Sequence, residues 1–277
     1  MTDKWWRSVV PVRDGPSPVL DTSVAHPARV YDYWLGGKDN FAADREVGEQ
    51  TMRAYPAIAL GVRSNRAFLG RAVRYLAGEA GIRQFLDIGT GLPTANNTHE
   101  VAQAVAPESR IVYVDNDPIV LAHAHALLTS TIQGTTTYIS ADLEDTGTIL
   151  GQAARTLDLT RPTAVLLLAI LQFIPAGKDP YRLVSRLMDA TPSGSFLVIS
   201  HPTADFSPEQ AADSIRRYND QVSVSATLRN REETSRFFDG LELVEPGVVA
   251  SSEWRPDTEA DAASPAGTWV GVGRKTG

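Results

Sequence analysis

An aspartate set just ahead of a Gly-x-Gly turn is the most informative chemical arrangement in the chain: Asp87, then Gly89, Thr90 and Gly91. Glycines one residue apart let the backbone turn sharply and let a ligand approach closer than any β-carbon permits, and the helix that follows offers unpaired amides. The preceding Gln84-Phe85-Leu86-Asp87-Ile88 has the apolar character of a buried parallel strand. The turn therefore falls at the carboxyl edge of a first strand, where open α/β sheets bind nucleotides. A dinucleotide fingerprint needs a third glycine, and Thr94 stands there instead, behind Pro93. Asp87 would also set a carboxylate against a pyrophosphate, where like charges repel. A cationic nucleoside suits it better, and S-adenosylmethionine carries both an ammonium and a sulfonium. The other reading of these residues is a plain glycine turn beside a surface aspartate.

Two more acidic positions fit the same ligand. The apolar Ile111-Val112-Tyr113-Val114 ends on Asp115, 24 residues beyond Gly91, where a carboxylate can accept both ribose hydroxyls. Asn116, Asp117 and Pro118 then open a helix, with Asp117 also readable as its cap. A third strand ends at Ser140-Ala141-Asp142-Leu143, which offers an acceptor for the adenine amino group and an apolar face for the ring. Asp142 reads equally well as a loop aspartate ahead of a helix.

These residues need a repeating frame to hold them, and the pattern supplies one. Helical patterns at 26–35, 41–55 and 57–77 precede the first strand, the first opened by Pro27 and closed by Gly36-Gly37. Then helix 97–106, strand 110–114, helix 118–129, strand 136–140, helix 145–157, strand 164–169, helix 180–190 and strand 195–200 alternate. Helical stretches at 208–219 and 231–238 and apolar strands at 241–249 and 268–273 close the chain. Such alternation predicts an α/β fold with a seven-stranded, mostly parallel sheet, helices on both faces and an N-terminal helical cap. The expected division is an arm and cap over 1–80 and the sheet domain over 81–277, the arm being the Pro-rich 1–21 and the acidic 256–267 a hairpin loop.

Composition narrows the class. The net charge of −7, with no Lys/Arg-rich block, speaks against a nucleic-acid partner. The absence of cysteine removes disulfides, thiolate metal sites and a cysteine nucleophile. His99-Glu100 lacks the second histidine of a zinc helix, since Gln103 stands there, and His123 and His125 do not share a helix face. No metal site is expected. The first residues lack an apolar core of signal-peptide length, and the longest apolar run, 164–174, is too short to span a membrane. The expectation is a cytoplasmic protein with no membrane partner.

The segments DIGTG, YVDNDP, SADLED and AILQFIP resemble motifs I to IV of the Rossmann-like, class I S-adenosylmethionine-dependent methyltransferases. HPARVYDYWLGGKDNFAADRE, RQFLDIGTGLPT, VYVDNDPIVLAHA and GLELVEPGVV are similar to an actinobacterial family of these enzymes whose substrate is not known. The resemblance covers nearly the whole chain. It implies that Asp87, Gly89 and Gly91 hold the methionine end, Asp115 the ribose, and Asp142 and Leu143 the adenine, with Thr90 and Asn116 as further cofactor-binding residues. By the same resemblance Ala169, Leu171 and Gln172 form the floor beneath the sulfonium. Many such enzymes carry Asp at the start of the fourth strand, where this chain has Pro162-Thr163.

The methyl acceptor is less legible, because transfer from an activated sulfonium asks mainly for alignment. A small-molecule acceptor is expected, with Tyr31, Tyr33, Trp34 and Phe41 as its aromatic wall and Lys38 and Asn40 as polar groups on a flexible turn. Residues 26–41 read either as a lid that closes over the donor or as a helix pair that only covers the sheet. His201, directly after the fifth strand, is the candidate general base. A nicotinamide-dependent oxidoreductase and a non-catalytic S-adenosylmethionine binder are the competing functions.

Overall fold

Side chains alternate in and out along five parallel strands, and that alternation builds the frame. The computed structural model describes residues 21–127, 130–222, 224–263 and 267–277. The strands are β1 (Gln84–Ile88), β2 (Arg110–Asp115), β3 (Thr135–Ser140), β4 (Ala164–Leu168) and β5 (Phe196–Pro202), ordered β3-β2-β1-β4-β5. Leu86, Val112, Val165 and Leu197 pack on one face, and Phe85, Ile111, Leu166 and Val198 on the other. Along β1, β2, β4 and β5 both faces are buried, which is why these strands read as nearly unbroken apolar runs, whereas the Thr-rich edge strand β3 is mostly half-exposed.

The carboxyl half of the sheet is antiparallel. β8 (Thr268–Arg274) runs against β5 and carries two short strands on its other edge, β6 (Glu242–Leu243) and β7 (Val249–Ala250). The sheet thus has eight strands, where the sequence pattern predicts seven. The expected strand over 241–249 is broken because Pro246 lacks a donor and Gly247 turns at φ +87, with Gly247 N–H closing onto the Val244 carbonyl at 2.9 Å. Within the expected hairpin loop a short helix, Glu259–Ala262, forms; residues 264–266 of that loop, and the arm over 1–20, lie outside the described residues.

Among the described residues three helices precede the sheet: α1 (Pro27–Leu35), α2 (Ala42–Ala54) and α3 (Ile58–Gly78). Pro27 starts α1, whose end falls at Gly36 in the left-handed region, φ 84. A buried ion pair at 3.0 Å joins Arg29 of α1 to Asp44 of α2, and Asp44 also accepts from the His26 and Phe41 amides at 2.9 and 2.8 Å. Although α3 precedes the sheet in sequence like the cap helices, its Phe68, Ala72, Val73 and Leu76 are fully buried in the same cluster as Phe85 and Ile111 of the sheet. The helices α4 (Thr98–Val105), α5 (Pro118–Leu127), α6 (Thr146–Ala153), α7 (Pro180–Asp189) and α8 (Pro208–Asn219) follow in the expected places. Among the described residues no helix is long and apolar enough to cross a membrane, and no group of three His, Asp or Glu side chains could hold a metal ion.

Candidate functional site

The strand order reverses direction between β1 and β4, and a crevice opens at their carboxyl ends. A cavity of about 490 Å³ fills it, within the usual size of a small-molecule site. Its inner wall is the turn after β1. Gly89 and Gly91 take φ +74 and +64, and the Gly89 and Thr90 amides donate to the Val114 carbonyl at 2.8 and 3.3 Å, which ties the turn to β2. A β-carbon on Gly91 would meet nothing within 4 Å, so the space above it is open; one on Gly89 would strike Ile170 Cγ1 at 2.4 Å.

Acidic side chains gather at the ends of the first three strands. Asp87 is 5% exposed, lines the cavity and accepts from the Thr98 hydroxyl at 2.6 Å. Burial pushes its carboxyl up to about 6; the Thr98 hydroxyl and the Arg66 guanidinium pull down, and Asp115 adds a further push upward. Asp115 accepts from the Gly91 and Asp117 amides, each at 2.9 Å, so one carboxylate braces both turns. Burial raises its pKa and those two amides oppose the rise. Asp117 caps α5 through the Ile119 amide at 2.8 Å and meets His26 Nδ1 at 2.9 Å, a link between the cap and the end of β2. At the end of β3, Asp142 accepts from Asn116 Nδ2 at 3.0 Å, and Leu143 is buried beside it.

Most of the residues singled out by sequence come together here. Asp87, Gly89, Thr90, Gly91, Asp115, Asn116, Asp142, Leu143, Ala169 and Gln172 all line the one cavity, as do Tyr31 and Trp34. Leu171 does not; it is fully buried in the core beneath the loop after β4. Four candidates for the acceptor wall are also elsewhere. The Tyr33 ring lies over Gly48 with its hydroxyl toward Glu49, and Lys38 is exposed. Asn40 is spent on Asp32 at 2.8 Å, and Phe41 packs near Leu92, Ile119 and Val120.

The general base requires a correction as well. His201 is completely buried and does not line the cavity: Arg229 Nη1 lies 2.6 Å from Nε2, and Nδ1 lies 2.9 Å from the Pro202 carbonyl. With a guanidinium on one nitrogen and a carbonyl on the other, the ring is neutral with its proton on Nδ1. Burial pushes its pKa down to about 3, the Pro202 bond opposes this, and the Arg229 charge assists it. A base must reach the acceptor, and this imidazole instead helps Arg229 hold the Leu171 and Ile174 carbonyls, at 2.9 and 2.8 Å. Because the folded-state pKa lies below the ordinary 6.5, only the unfolded chain takes up this proton between pH 6.5 and 3. Stability contributed by the neutral ring is present above pH 6.5 and is lost as pH falls, by up to ~1.4 kcal/mol per unit. Urea midpoints measured from pH 7.5 to 4.5 should fall less steeply for His201→Asn than for the native chain; parallel slopes would exclude the effect.

Sequence reasoning missed much of the outer wall. Asn65, Arg66 and Leu69 of α3, and Ala211, Ile215 and Tyr218 of α8, line the cavity. One signal was visible: Val62, Asn65 and Leu69 share a helix face, and a buried Asn in an apolar stripe asks for a partner. The α8 stripe looks like any packing face.

The fold is that of the class I methyltransferases, and S-adenosylmethionine is their methyl donor. More narrowly, the chain belongs to the S-adenosyl methyltransferase family, whose model matches residues 13–276. A DUF574 family protein from Streptomyces avermitilis is 48% identical, with 92% of this chain and 99% of that one covered and a TM-score of 0.89. A candidate methyltransferase from Thermobifida fusca is 40% identical over 95% and 99% of the two chains, TM-score 0.85. Human N-acetylserotonin methyltransferase, solved with S-adenosylmethionine, shares the fold at 14% identity, covering 89% of this chain and 62% of that one, TM-score 0.51. No curated protein matches the chain.

Proposed function

We propose that the enzyme moves the methyl group of S-adenosylmethionine to a small, largely apolar molecule held between the cap and the carboxyl edge of the sheet. One observation carries this: a single cavity of about 490 Å³ runs from the acidic glycine turn to an apolar wall on α1, α3 and α8. In this reading Asp87 takes the ammonium, Asp115 the ribose hydroxyls, and Asp142 with Leu143 the adenine ring; their shared cavity and the open space over Gly91 support it. Bound there, S-adenosylmethionine supplies a methyl group already activated by the positive sulfur.

The chain's own part is alignment and exclusion of water. Holding the two reactants in line converts an encounter in solution into a contact, and that supplies much of the acceleration. Tyr31 and Trp34 of α1 and Tyr218 of α8 close the side away from the sheet. The buried His201 takes no part in proton transfer.

The decisive experiment is labelled methyl transfer from S-adenosylmethionine to fractions of a small-molecule extract, beside calorimetry with S-adenosylhomocysteine. Label in an organic-extractable product is expected. Product binding with no transfer to any fraction would make the chain a binder rather than an enzyme. Asp115→Asn should weaken S-adenosylhomocysteine by ~1.5–3 kcal/mol, the range for hydrogen bonds to a charged group. Unchanged affinity would remove Asp115 from the donor site. Hydrogen exchange over residues 26–41 should slow on saturation with S-adenosylhomocysteine, because α1 walls the cavity; unaltered protection would leave the segment a static cover.

A further inference from the structure

Two side-chain amides on the cavity wall are held so that only their NH₂ ends are used. Asn65 Nδ2 donates to the Tyr31 hydroxyl at 3.0 Å, and that hydroxyl donates to the Val62 carbonyl at 3.3 Å. A phenol has one proton, and its commitment to a carbonyl fixes the Asn65 amide the way round it stands. Gln172 Nε2 donates to the Ala169 carbonyl at 2.7 Å, and a backbone carbonyl only accepts, so this amide too has one orientation. Ala169 is itself pinned, at φ +50, by Ser200.

In both residues the carbonyl oxygen has no hydrogen-bond partner among the described residues. Asn65 Oδ1 and Gln172 Oε1 are buried, in cavity-lining residues 5% and 8% exposed, and Thr268 Oγ1, on the same wall, is likewise without a partner among the described residues. Buried polar atoms without partners are costly and uncommon, and two acceptors and a hydroxyl in one cavity wall mark a place where an occupant supplies a partner.

The rest of the wall sets the occupant's character. Val62, Leu69, Phe173, Ile215 and Tyr218 present apolar surface. The charged side chains lie at the other end, around the ends of β1 to β3, where Asp87 faces Arg66 and Glu144 is paired with Lys178 at 2.6 Å. Asp32 of α1 is occupied by Asn40 Nδ2 and the Asp39 amide at 2.8 and 3.0 Å. An ionic group on the occupant would find no counter-charge on this side.

We propose that the methyl acceptor is an uncharged, largely apolar molecule bearing a hydroxyl or N–H group, and that the Asn65 carbonyl receives that group's proton in a hydrogen bond. This rests on the reading of the acidic end as the donor site, and the test separates the two. Protein saturated with S-adenosylhomocysteine is titrated, by ligand-observed NMR, with matched pairs, phenol against anisole and indole against 1-methylindole, and with benzoate as a charged counterpart. The donor-bearing member of each pair binds at least fivefold tighter and benzoate binds no better than anisole. In Asn65→Leu, which still takes up S-adenosylhomocysteine, the preference shrinks to less than twofold; Asn65→Asp, which keeps an acceptor in place, retains it. Failure to bind S-adenosylhomocysteine overturns the donor reading and this inference with it. Binding of S-adenosylhomocysteine with equal affinity inside each pair, with no fragment bound at all, or with the preference undiminished in Asn65→Leu overturns this inference alone.

Discussion

Gly89→Ala is expected to lose S-adenosylhomocysteine binding and to cost ~2–5 kcal/mol of folding stability, a left-handed residue accounting for ~1–2 and forced overpacking for ~1–3. The backbone there sits at φ +74, and the added carbon would lie 2.4 Å from Ile170 Cγ1 and 2.8 Å from its Cβ. Ile170 cannot simply swing away, because the clash includes its branch point and its neighbour Ala169 is held at φ +50 by two bonds to Ser200. The turn after β1 and the loop after β4 would have to part, and these two segments form the floor of the crevice. Gly91→Ala is the informative contrast. Its φ of +64 carries the same backbone cost, yet nothing lies within 4 Å of the added carbon except the space assigned to the ligand. It should therefore lose only ~1–2 kcal/mol in urea while its calorimetric affinity falls by more than tenfold. Equal stability losses in the two variants, or native affinity in Gly91→Ala, would mean that the turn does not cradle the donor.

The same two glycines explain how far the sequence reaches. A turn that only glycine can make, next to an aspartate, leaves a local signature, and so do acidic residues at the ends of apolar strands. The acidic side of the cavity is legible for that reason, and so is the alternation that builds the sheet. The apolar side is assembled from distant segments. Asn65 lies on α3, Tyr218 on α8 and Thr268 at the start of β8, and tertiary packing alone brings them to one wall. The aromatic richness of residues 31–41 was a real signal of burial, but burial has several destinations: Tyr31 and Trp34 face the cavity, while Phe41 joins a small cluster with Leu92 and Val120. His201 misled because its position at the sheet edge is visible in sequence, whereas Arg229, which fixes its protonation, is 28 residues away. The break at 241–249 is written in Pro246-Gly247, whose turn chemistry outweighs the apolar content around it.

Asp87→Asn should make the empty protein more stable at neutral pH and the ligand-bound protein weaker. The carboxyl is pushed up to about 6 by burial, from an ordinary 3.8, with the Thr98 hydroxyl and Arg66 only partly offsetting that push. A carboxyl raised in the folded state binds its proton more readily there than in the unfolded chain. Its contribution to stability is therefore fully present below pH 3.8 and is lost as pH rises through about 6. At pH 7.5 the ionised group stands as a cost of ~2–3 kcal/mol, from about two pKa units at 1.36 each. An amide has no such penalty and its oxygen can still accept from Thr98, so a gain of ~1–3 kcal/mol in urea is expected at that pH, shrinking toward zero by pH 4. Binding runs the other way. In that variant the ammonium finds an amide dipole in place of a charge, and S-adenosylhomocysteine should weaken by ~10–150-fold, the equivalent of a charged hydrogen bond worth 1.5–3 kcal/mol. The native protein should itself lose affinity, about tenfold per pH unit, once pH drops below the Asp87 pKa, while Asp87→Asn stays flat. 5′-Methylthioadenosine, which lacks the amino-acid end, supplies the internal control, because neither the substitution nor the pH change should move its affinity. If it weakens in step with S-adenosylhomocysteine, Asp87 supports the turn as a whole and does not read the ammonium. If the variant gains no stability, the buried charge is better solvated than its surroundings imply.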